Sequence, residues 1–421
     1  FLIFAKNNLT TMKGTKFLLT LLTSLIFSAC TEVDITESII PKDNEANTRY
    51  ENVITMATDA FMAISSDSRA YSPTEVLDVT PWLAKDLSKS DSNASRSIST
   101  PLDTIFYVVN FTNKSGFAIV SDNEQLRGVV ALVPNFNLHS YDEIENPGLK
   151  FFFDLYNNAL TNNNVGKTFA VDSFAEFLDY NMLISDTEND GWTTVTTYPT
   201  KLIQKWGQRL PYSKYCFTSD GQQAVAGCLP VALAQTLTYF KYPSTINGYY
   251  INWKNTDCSE PTSESEKETV ARLIHEVGVL MKAQYGTSST WAYVSDLNAV
   301  LKNLGYTFDF TPFLNPSYSE QIKMIHNLYE YGPAIMYGAS TDSNTGAFLS
   351  GHEWVIDGAL AQRKEIDGSS QIRFLYHCNW GWDGDYDGYF LSNAFYPLGD
   401  NSPDMYKFNY NVKATYFITK P

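Results

Sequence analysis

The chain has 421 residues, of which 44% are hydrophobic and 14% are aromatic. A chain of this length is expected to form two folded units, because single domains usually hold about 100 to 200 residues. Its 30 Lys and Arg residues against 46 Asp and Glu residues give a formal net charge of −16. Because the basic residues form no stripe and the net charge repels phosphate, no nucleic acid is expected as a partner.

The first predicted element is an export signal at residues 12–30. A short basic start is followed by an apolar-biased run, Phe17–Phe27, and by Ser28 and Ala29 in front of Cys30. The run is too short to cross a bilayer as a helix, which takes about 20 residues. Cys30 in this position resembles a bacterial lipobox, although Phe27 stands where such boxes usually carry Leu. We therefore predict an exported protein, either a lipoprotein held at the cell envelope by a lipid on Cys30 or a secreted protein.

A polar stretch at residues 31–48 is predicted to be a flexible tether. Residues 49–195 are then predicted to form a small α+β domain, since segments with helical and strand patterns follow one another between polar gaps. The predicted helices are Tyr50–Ile64 and Leu149–Leu160, and the predicted strands are Ile105–Phe111, Gly116–Ser121 and Val129–Val133.

An exposed, weakly structured joint is predicted after this domain. The polar segment Ser185–Gly191 leads through the Thr-rich segment Thr193–Thr200 toward Trp206. Such joints are where proteases cut a folded chain. We therefore predict a cleavage site near Thr196 to Lys201.

Residues 200–421 are predicted to form a second domain in which helices come first and a sheet follows. The helices are predicted at Ser265–Gln284, at Val294–Leu304 and after the capping box Ser317–Glu320. The strands are predicted at Ala334–Tyr337, Glu353–Ile356, Ile372–Tyr376, Gly388–Leu391 and Ala414–Ile418. The stretch Gln362–Arg373, which lies between the strand after His352 and the motif at Asn379, is expected to form a surface hairpin.

Cys228 is the candidate nucleophile. It follows Gly227 and precedes Pro230, a residue that helices tolerate in their first turn. The thiol is therefore predicted to lie at the positive end of a helix, where its pKa would be lowered and the thiolate favoured. The alternative is a buried structural thiol, because free cysteine is among the most buried residue types.

His352 is the candidate general base, on a predicted strand that would give the imidazole a rigid support. His275 and His326 are instead predicted to have structural roles in amphipathic helices, and His377 is predicted to turn outward one strand downstream. Because side chains alternate along a strand, Glu353 is expected to point away from the site.

Three further residues are candidates for the site. Gln208, in a rigid aromatic context, could join the backbone N–H of Cys228 as a donor to an oxyanion. Asn379 could accept the imidazole N–H, and Trp380 could shield that bond from water. The alternatives are a solvated loop glutamine and a structural turn of stacked indoles.

Together these motifs resemble the streptopain-like peptidases, papain-fold cysteine endopeptidases that bacteria make as secreted zymogens. The resemblance covers most of the second half in order, and Gly116–Asp122 resembles part of the propeptide of these enzymes. Its main motifs are Trp206-Gly207-Gln208, Gly227-Cys228, Glu276-Val277-Gly278, Gly351-His352 and Asn379-Trp380-Gly381-Trp382.

The resemblance implies a papain-like α+β catalytic domain at 200–421 and an inhibitory pro-domain at 49–195. It also implies Cys228 as nucleophile, His352 as general base and acid, Gln208 as oxyanion donor, and Asn379 or Trp380 beside the imidazole. Glu353 departs from the family pattern, which more often has a small or apolar residue after the histidine.

Neither a cofactor nor a metal is predicted. Once Cys30 and Cys228 are assigned, the three remaining cysteines allow at most one disulfide, and none of them belongs to a CxxC pair. They are Cys216, Cys258 and Cys378.

The expected function is therefore that of a cysteine endopeptidase acting on proteins or peptides through a thioester. Its pro-domain would inhibit it until self-cleavage or an activating protease removes that domain. Two alternatives remain, a non-catalytic surface lipoprotein that uses the fold for binding and a papain-fold acyl transferase, since a thioester does not dictate its acceptor.

Overall fold

The computed structural model describes most of the chain from residue 44 onward. The described residues are 44–65, 75–83, 104–121, 127–153, 169–171, 192–313, 316–342, 348–366, 369–392 and 408–421. The predicted export signal at 12–30 and the polar segment 185–191 lie outside them. None of the described helices has both the length and the apolar content that a membrane span requires.

The helices of the described residues include α1 (Asn44–Ser65), α2 (147–153), α3 (Cys228–Phe240), α4 (Glu264–Leu280), α5 (Val294–Asn303) and α6 (Tyr318–His326). The strands are β1 (Val76–Leu83), β2 (Thr104–Phe111), β3 (Gly116–Ser121), β4 (Gly128–Pro134), β5 (Phe169–Val171), β6 (Thr193–Tyr198), β7 (Thr245–Ile246), β8 (Tyr249–Tyr250), β9 (Thr307–Pro312), β10 (Ala334–Asp342), β11 (Phe348–Ile366), β12 (Ser369–Asn379), β13 (Gly388–Leu391) and β14 (Phe408–Thr419).

Twelve of the described strands form one antiparallel sheet. Ten of them follow the order β1-β2-β3-β4-β13-β12-β11-β10-β14-β9, and the other two are β5, which pairs with β12, and β6, which pairs with β11. Strands β7 and β8 form a separate hairpin. The predicted α+β class is confirmed, with helices before the sheet in the second half and a small α+β unit in the first.

The first helix and the three strands predicted for the first unit are present, and β1 and β5 are strands that the sequence pattern did not predict. Helix α1 buries one face, including Val53, Ala57 and Phe61, and the Phe61 ring lies 4.5 Å from that of Phe111 on β2. Strands β2 and β3 form the predicted hairpin and β4 adds the third strand. The predicted helix at Leu149–Leu160 is present as far as its described residues extend.

The two halves share one sheet and one hydrophobic core. Strand β4 pairs with β13, with Leu132 opposite Tyr389 and Ala131 opposite Phe390. The larger core contains residues of α1 and β1–β4 together with residues of β10–β13, whereas the second core surrounds α3. The expectation of two units with a core each is therefore modified, because the first half and the sheet of the second pack as one.

Helix α3 is the centre of the second core. Ten of its residues are buried, and it ends at Lys241, which has a left-handed backbone conformation and lies two residues before Pro243. It packs against α4 and β11. The burial of almost every side chain leaves only the first and last turns near solvent, so the start of α3 is the part that can take part in chemistry.

The described part of the predicted loose joint, Thr193–Thr200, contains a paired strand instead. Strand β6 is hydrogen-bonded to residues Ala359–Arg363 of β11, and the backbone N–H groups of Lys201 and Leu202 donate to the Asp357 carboxylate at 3.1 and 2.8 Å. Threonine-rich segments suit strands because β-branched side chains pack well on a pleated surface. The tether prediction is also corrected at its end, since α1 begins at Asn44.

The stretch Gln362–Arg373 is a hairpin, as predicted, but its base is not at the surface. Arg373 is 2% exposed and donates to the carbonyls of Arg127 and Val129 beside β4. Gln362 is also buried and accepts from the Arg373 Nε at 2.9 Å. Sequence pattern missed this contact because the partner carbonyls belong to the other half of the chain.

Candidate active site

Cys228 is the first residue of α3 and is partly exposed. Its position depends on Gly227, whose φ of 93° suits glycine and whose absent Cβ would lie 3.0 Å from the Thr290 side chain. The thiol donates to Oε2 of Glu353 at 2.9 Å. The candidate nucleophile therefore lies at the start of a helix, and its hydrogen-bond partner is the residue next to the candidate base.

The two faces of β11 explain this arrangement. Val355 belongs to the core around α3, whereas Trp354 and Ile356 belong to the core shared with the first half. Because side chains alternate, Glu353 faces α3 and His352 faces the opposite side. The expectation that Glu353 points away from the site is wrong. That expectation places His352 on the face of β11 toward Cys228, whereas Glu353 occupies this face.

His352 is held in a buried aromatic environment. It is 2% exposed, its ring stacks on Trp354 at a centroid distance of 6.4 Å, and the Trp380 ring lies at 6.2 Å. Burial lowers the pKa of the imidazole to about 4, so the ring is neutral near pH 7. Its Nε2 lies 2.8 Å from the Trp380 carbonyl, which accepts the N–H of the neutral ring.

The thiol is not activated in this structure. Desolvation, then the charge and the hydrogen bond of Glu353, raise the pKa of Cys228 well above its ordinary value. Burial also raises the pKa of the Glu353 carboxyl to about 7, although the hydrogen bond from the thiol acts in the other direction. The predicted lowering of the thiol pKa at the helix end is therefore wrong for this form of the protein.

Gln208 lies beside the start of α3, as predicted. Its backbone carbonyl accepts from the N–H of Ala226 at 2.8 Å, two residues before the cysteine. Its side-chain Nε2 donates to the Gly381 carbonyl at 3.4 Å, and the residue is 7% exposed. The amide is therefore a buried donor at the site, not a solvated loop side chain.

Asn379 has a different partner from the one expected. Its Oδ1 accepts from Nε2 of Gln235 and from the N–H of Gly381, both at 3.1 Å, and its Nδ2 donates to the Gln204 carbonyl at 2.6 Å. The prediction that it accepts the imidazole N–H is wrong in this structure, because the Trp380 carbonyl takes that bond. Trp380 does lie beside the imidazole, as predicted.

Two buried polar groups at the site were not assigned roles from the sequence. Gln235, on α3, is fully buried and joins Asn379 to the backbone N–H of Trp206, which lies 3.4 Å from its Oε1. Asp387 accepts the N–H of Trp380 at 2.8 Å. In the sequence, a glutamine within an otherwise apolar helix could have indicated that Gln235 has a buried partner. No local pattern marks Asp387.

His377 is partly buried and contacts Asp357 on β11 instead of turning outward. Its Nδ1 lies 2.6 Å from Oδ1 of Asp357, whose other oxygen accepts the N–H groups of Lys201 and Leu202. His377 therefore belongs to a structural network at the start of the second half.

The first half of the chain packs directly on the His352 side of the sheet. Gly148 lies so close to the Trp380 indole that a Cβ there would overlap it, and the Phe151 ring is 6.1 Å from that of Trp354. Asn146 caps α2 by accepting the N–H groups of Gly148 and Leu149, and donates to the Asp385 carbonyl at 2.6 Å. Asn146 therefore joins the start of α2 to the segment that follows Trp382.

Among the described residues, no group of three or more His, Cys, Asp and Glu side chains could hold a metal ion. The four described cysteines are free thiols, so no disulfide forms among Cys216, Cys228, Cys258 and Cys378.

Comparison with known families finds two matching regions in this chain. Residues 206–390 match the Peptidase C10 family, and residues 52–160 match the Spi protease inhibitor family. The order of the two regions, inhibitor-like before peptidase, is the order that the sequence predicts.

Two individual proteins are also similar to this chain over a little less than half of its length. Streptopain of Streptococcus pyogenes is 29% identical over 208 residues, which are 42% of this chain and 48% of streptopain. The thiol protease/hemagglutinin PrtT of Porphyromonas gingivalis is 22% identical over 224 residues, which are 47% of this chain and 24% of that protein. The matched region thus spans about half the length of streptopain.

A solved structure supports the fold. A fragment of prointerpain A from Prevotella intermedia matches with a TM-score of 0.52 at 23% identity, covering 74% of this chain and 94% of that fragment. The match includes both halves of the described architecture, since it extends beyond the peptidase region.

Proposed function

We propose that the chain is a streptopain-like cysteine peptidase, made as the latent precursor of an exported cysteine endopeptidase, and the similarity to the Peptidase C10 family and to streptopain supports this. The observation that carries the proposal is the contact between the Cys228 thiol at the start of α3 and strand β11, one residue from His352. The inhibitor-like region that packs on the same strand supports latency.

Activation requires that His352 and Glu353 exchange faces of β11. A shift of one residue along a strand moves every side chain to the other face. The pairing of β11 with β12 is already offset between Ile356 and Gly358. The segment that carries His352 can therefore change register without moving the rest of the long strand, once the first half of the chain no longer packs against it.

In the active form, the proposed chemistry is that of a thiol peptidase. His352 takes the proton of Cys228, the sulfur attacks a peptide carbonyl, and the amine leaves with a proton from His352 as the thioester forms. A water molecule, deprotonated by His352, then hydrolyses the thioester and restores the thiol. Gln208 and the backbone N–H of Cys228 stabilise the oxyanion, and the Trp380 indole shields the imidazole.

The proposed domains are an inhibitory pro-domain at 49–195, of which the part before β6 is removed on activation, and a peptidase domain at 200–421. The export signal at 12–30 and the tether that follows would place the protein outside the cytoplasm, with Cys30 as the lipid anchor. The expected substrates are proteins or peptides, and the pro-domain is removed by self-cleavage or by another protease.

The test follows processing of the purified precursor with and without iodoacetamide. Precursor is compared with Cys228→Ala and with Cys258→Ala, a control at another partly exposed thiol. We expect processing and hydrolysis of a denatured protein substrate in precursor and in Cys258→Ala, and neither after alkylation nor in Cys228→Ala. Hydrolysis at the unaltered rate in Cys228→Ala would refute the proposal. Transfer of the acyl group from the substrate to an added amine, in place of hydrolysis, would identify a transferase.

A further inference from the structure

The carboxyl group of Glu353 lies on the face of β11 that the catalytic imidazole needs. The residue is 8% exposed and its Oε2 accepts the S–H of Cys228 at 2.9 Å. Glu353 departs from the streptopain-like peptidases that the chain resembles, which more often have a small or apolar residue after the histidine. The structure shows where the extra side chain goes, directly onto the nucleophile.

Fold stability does not explain this placement. Among the described residues, Glu353 forms no ion pair with Lys, Arg or His, and the thiol of Cys228 is the hydrogen-bond partner of its carboxyl. The titratable groups facing the carboxyl are Cys228 on α3 and Tyr337, which lies opposite Glu353 on β10. A buried carboxyl without a cation is costly, so a functional reason for it is expected.

We propose that Glu353 keeps Cys228 protonated and unreactive in the precursor, at the place beside the sulfur that His352 takes in the active enzyme. This inference rests on the proposed peptidase function. A carboxylate next to sulfur disfavours the thiolate by like-charge repulsion, whereas an imidazolium in the same place favours it. The same change of register that delivers the base therefore removes the group that suppresses the nucleophile.

This mechanism acts on the sulfur itself. Packing of the first half against the other face of β11 keeps the base away, but a thiol with no base nearby still ionises at alkaline pH and reacts with electrophiles. With Glu353 in contact, ionisation of the thiol requires a second negative charge in a partly buried site. The precursor is thereby protected from alkylation and oxidation as well as from premature hydrolysis.

The test measures the rate at which iodoacetamide alkylates Cys228 in the full-length precursor across pH, by peptide mapping of unprocessed chain. Glu353→Gln keeps the shape of the side chain and removes its charge, and Glu353→Ala removes both. Glu276→Gln is the matched control, because Glu276 is also 8% exposed and accepts from Asn247 in another cluster.

We expect alkylation of Cys228 to rise at least about threefold at neutral pH in both Glu353 variants, and its pH midpoint to fall. When the pKa of a mostly protonated thiol falls by one unit, the thiolate fraction rises about tenfold, but the thiolate becomes a weaker nucleophile. The expected rise in alkylation rate is therefore smaller than tenfold. The Glu276→Gln profile should match that of the parent.

Coincident profiles for parent and Glu353→Gln would overturn the proposal. A simultaneous rise at the buried thiols of Cys216 and Cys378 would show a loosened fold and would also count against it. Because alkylation needs no peptide hydrolysis, the result stands apart from the processing assay, where failure would instead remove the proposed peptidase function.

Discussion

At the scale of single residues, two opposing effects act on the Cys228 sulfur. The N-terminal end of a helix stabilises a negative charge by about 0.3 to 1 kcal/mol, and by up to ~2 kcal/mol where the charge is partly buried. Desolvation and a neighbouring carboxylate act against this and are the larger effects here, since the thiol pKa is raised. The position of a cysteine in a helix therefore does not settle its reactivity, which depends on the group that tertiary structure places beside it.

The stability of the precursor should depend on pH through Glu353. Its pKa is raised to about 7 in the folded chain, above the ordinary value of 4.5. The folded state therefore holds the proton more tightly, and this stabilisation is present below pH 4.5 and lost as the pH rises to 7. Relative to the parent, Glu353→Gln should gain up to ~3 kcal/mol of unfolding free energy between these values. Urea unfolding at several pH values measures the difference, and a constant difference would contradict the pKa shift.

At the scale of elements, strand alternation is the deciding feature. His352 and Glu353 are neighbours, so a single register decides which of them meets α3. The sequence pattern correctly predicts a strand here but contains nothing that fixes its register. The same holds for β6, whose residues were assigned to a joint and which pairs instead with the far half of β11.

The pairing of β6 predicts where maturation cuts the chain. A protease needs an extended and accessible segment, whereas Thr193–Tyr198 is hydrogen-bonded to β11 and Trp192 packs against the Arg373 guanidinium at 4.4 Å. We therefore expect the mature chain to retain β6 and to begin before Trp192, and not within Thr196 to Lys201 as the sequence pattern indicates. N-terminal sequencing of the mature form decides between them, and a first residue within β6 or after it would contradict the expectation.

At the scale of the whole molecule, the inhibitor-like region and the peptidase region are not separate bodies among the described residues. They share a sheet through β4 and β13 and a core that includes the aromatic residues beside His352. Release of the first half therefore exposes part of this core and an edge of the sheet. In the proposed precursor, latency is therefore expected to depend on this shared packing, not on a segment that lies loosely in a cleft.

Arg373 should contribute to this packing. Its guanidinium donates to the carbonyls of Arg127 and Val129 and lies over Trp192. Arg373→Lys cannot reproduce these planar contacts and should lower precursor stability by about 1 to 3 kcal/mol and speed processing. The control is Arg363→Lys, at a partly exposed arginine that pairs with Glu365. Thermal unfolding and processing rates measure both effects, and equal values for the two variants would contradict this role.

The sequence by itself determined most helices and strands of both halves, although not β1, β5, β6 or β9. It also determined the position of Cys228 at a helix start and the resemblance to the streptopain-like peptidases. These features depend on local periodicity, on Pro230 in the first turn, and on short motifs, all of which are encoded within a few neighbouring residues. Tertiary structure decided which face of β11 meets α3, which carbonyl accepts the His352 N–H, and how the two halves share a core. Strand register and buried polar partners depend on contacts between residues far apart in the chain, so no local pattern fixes them.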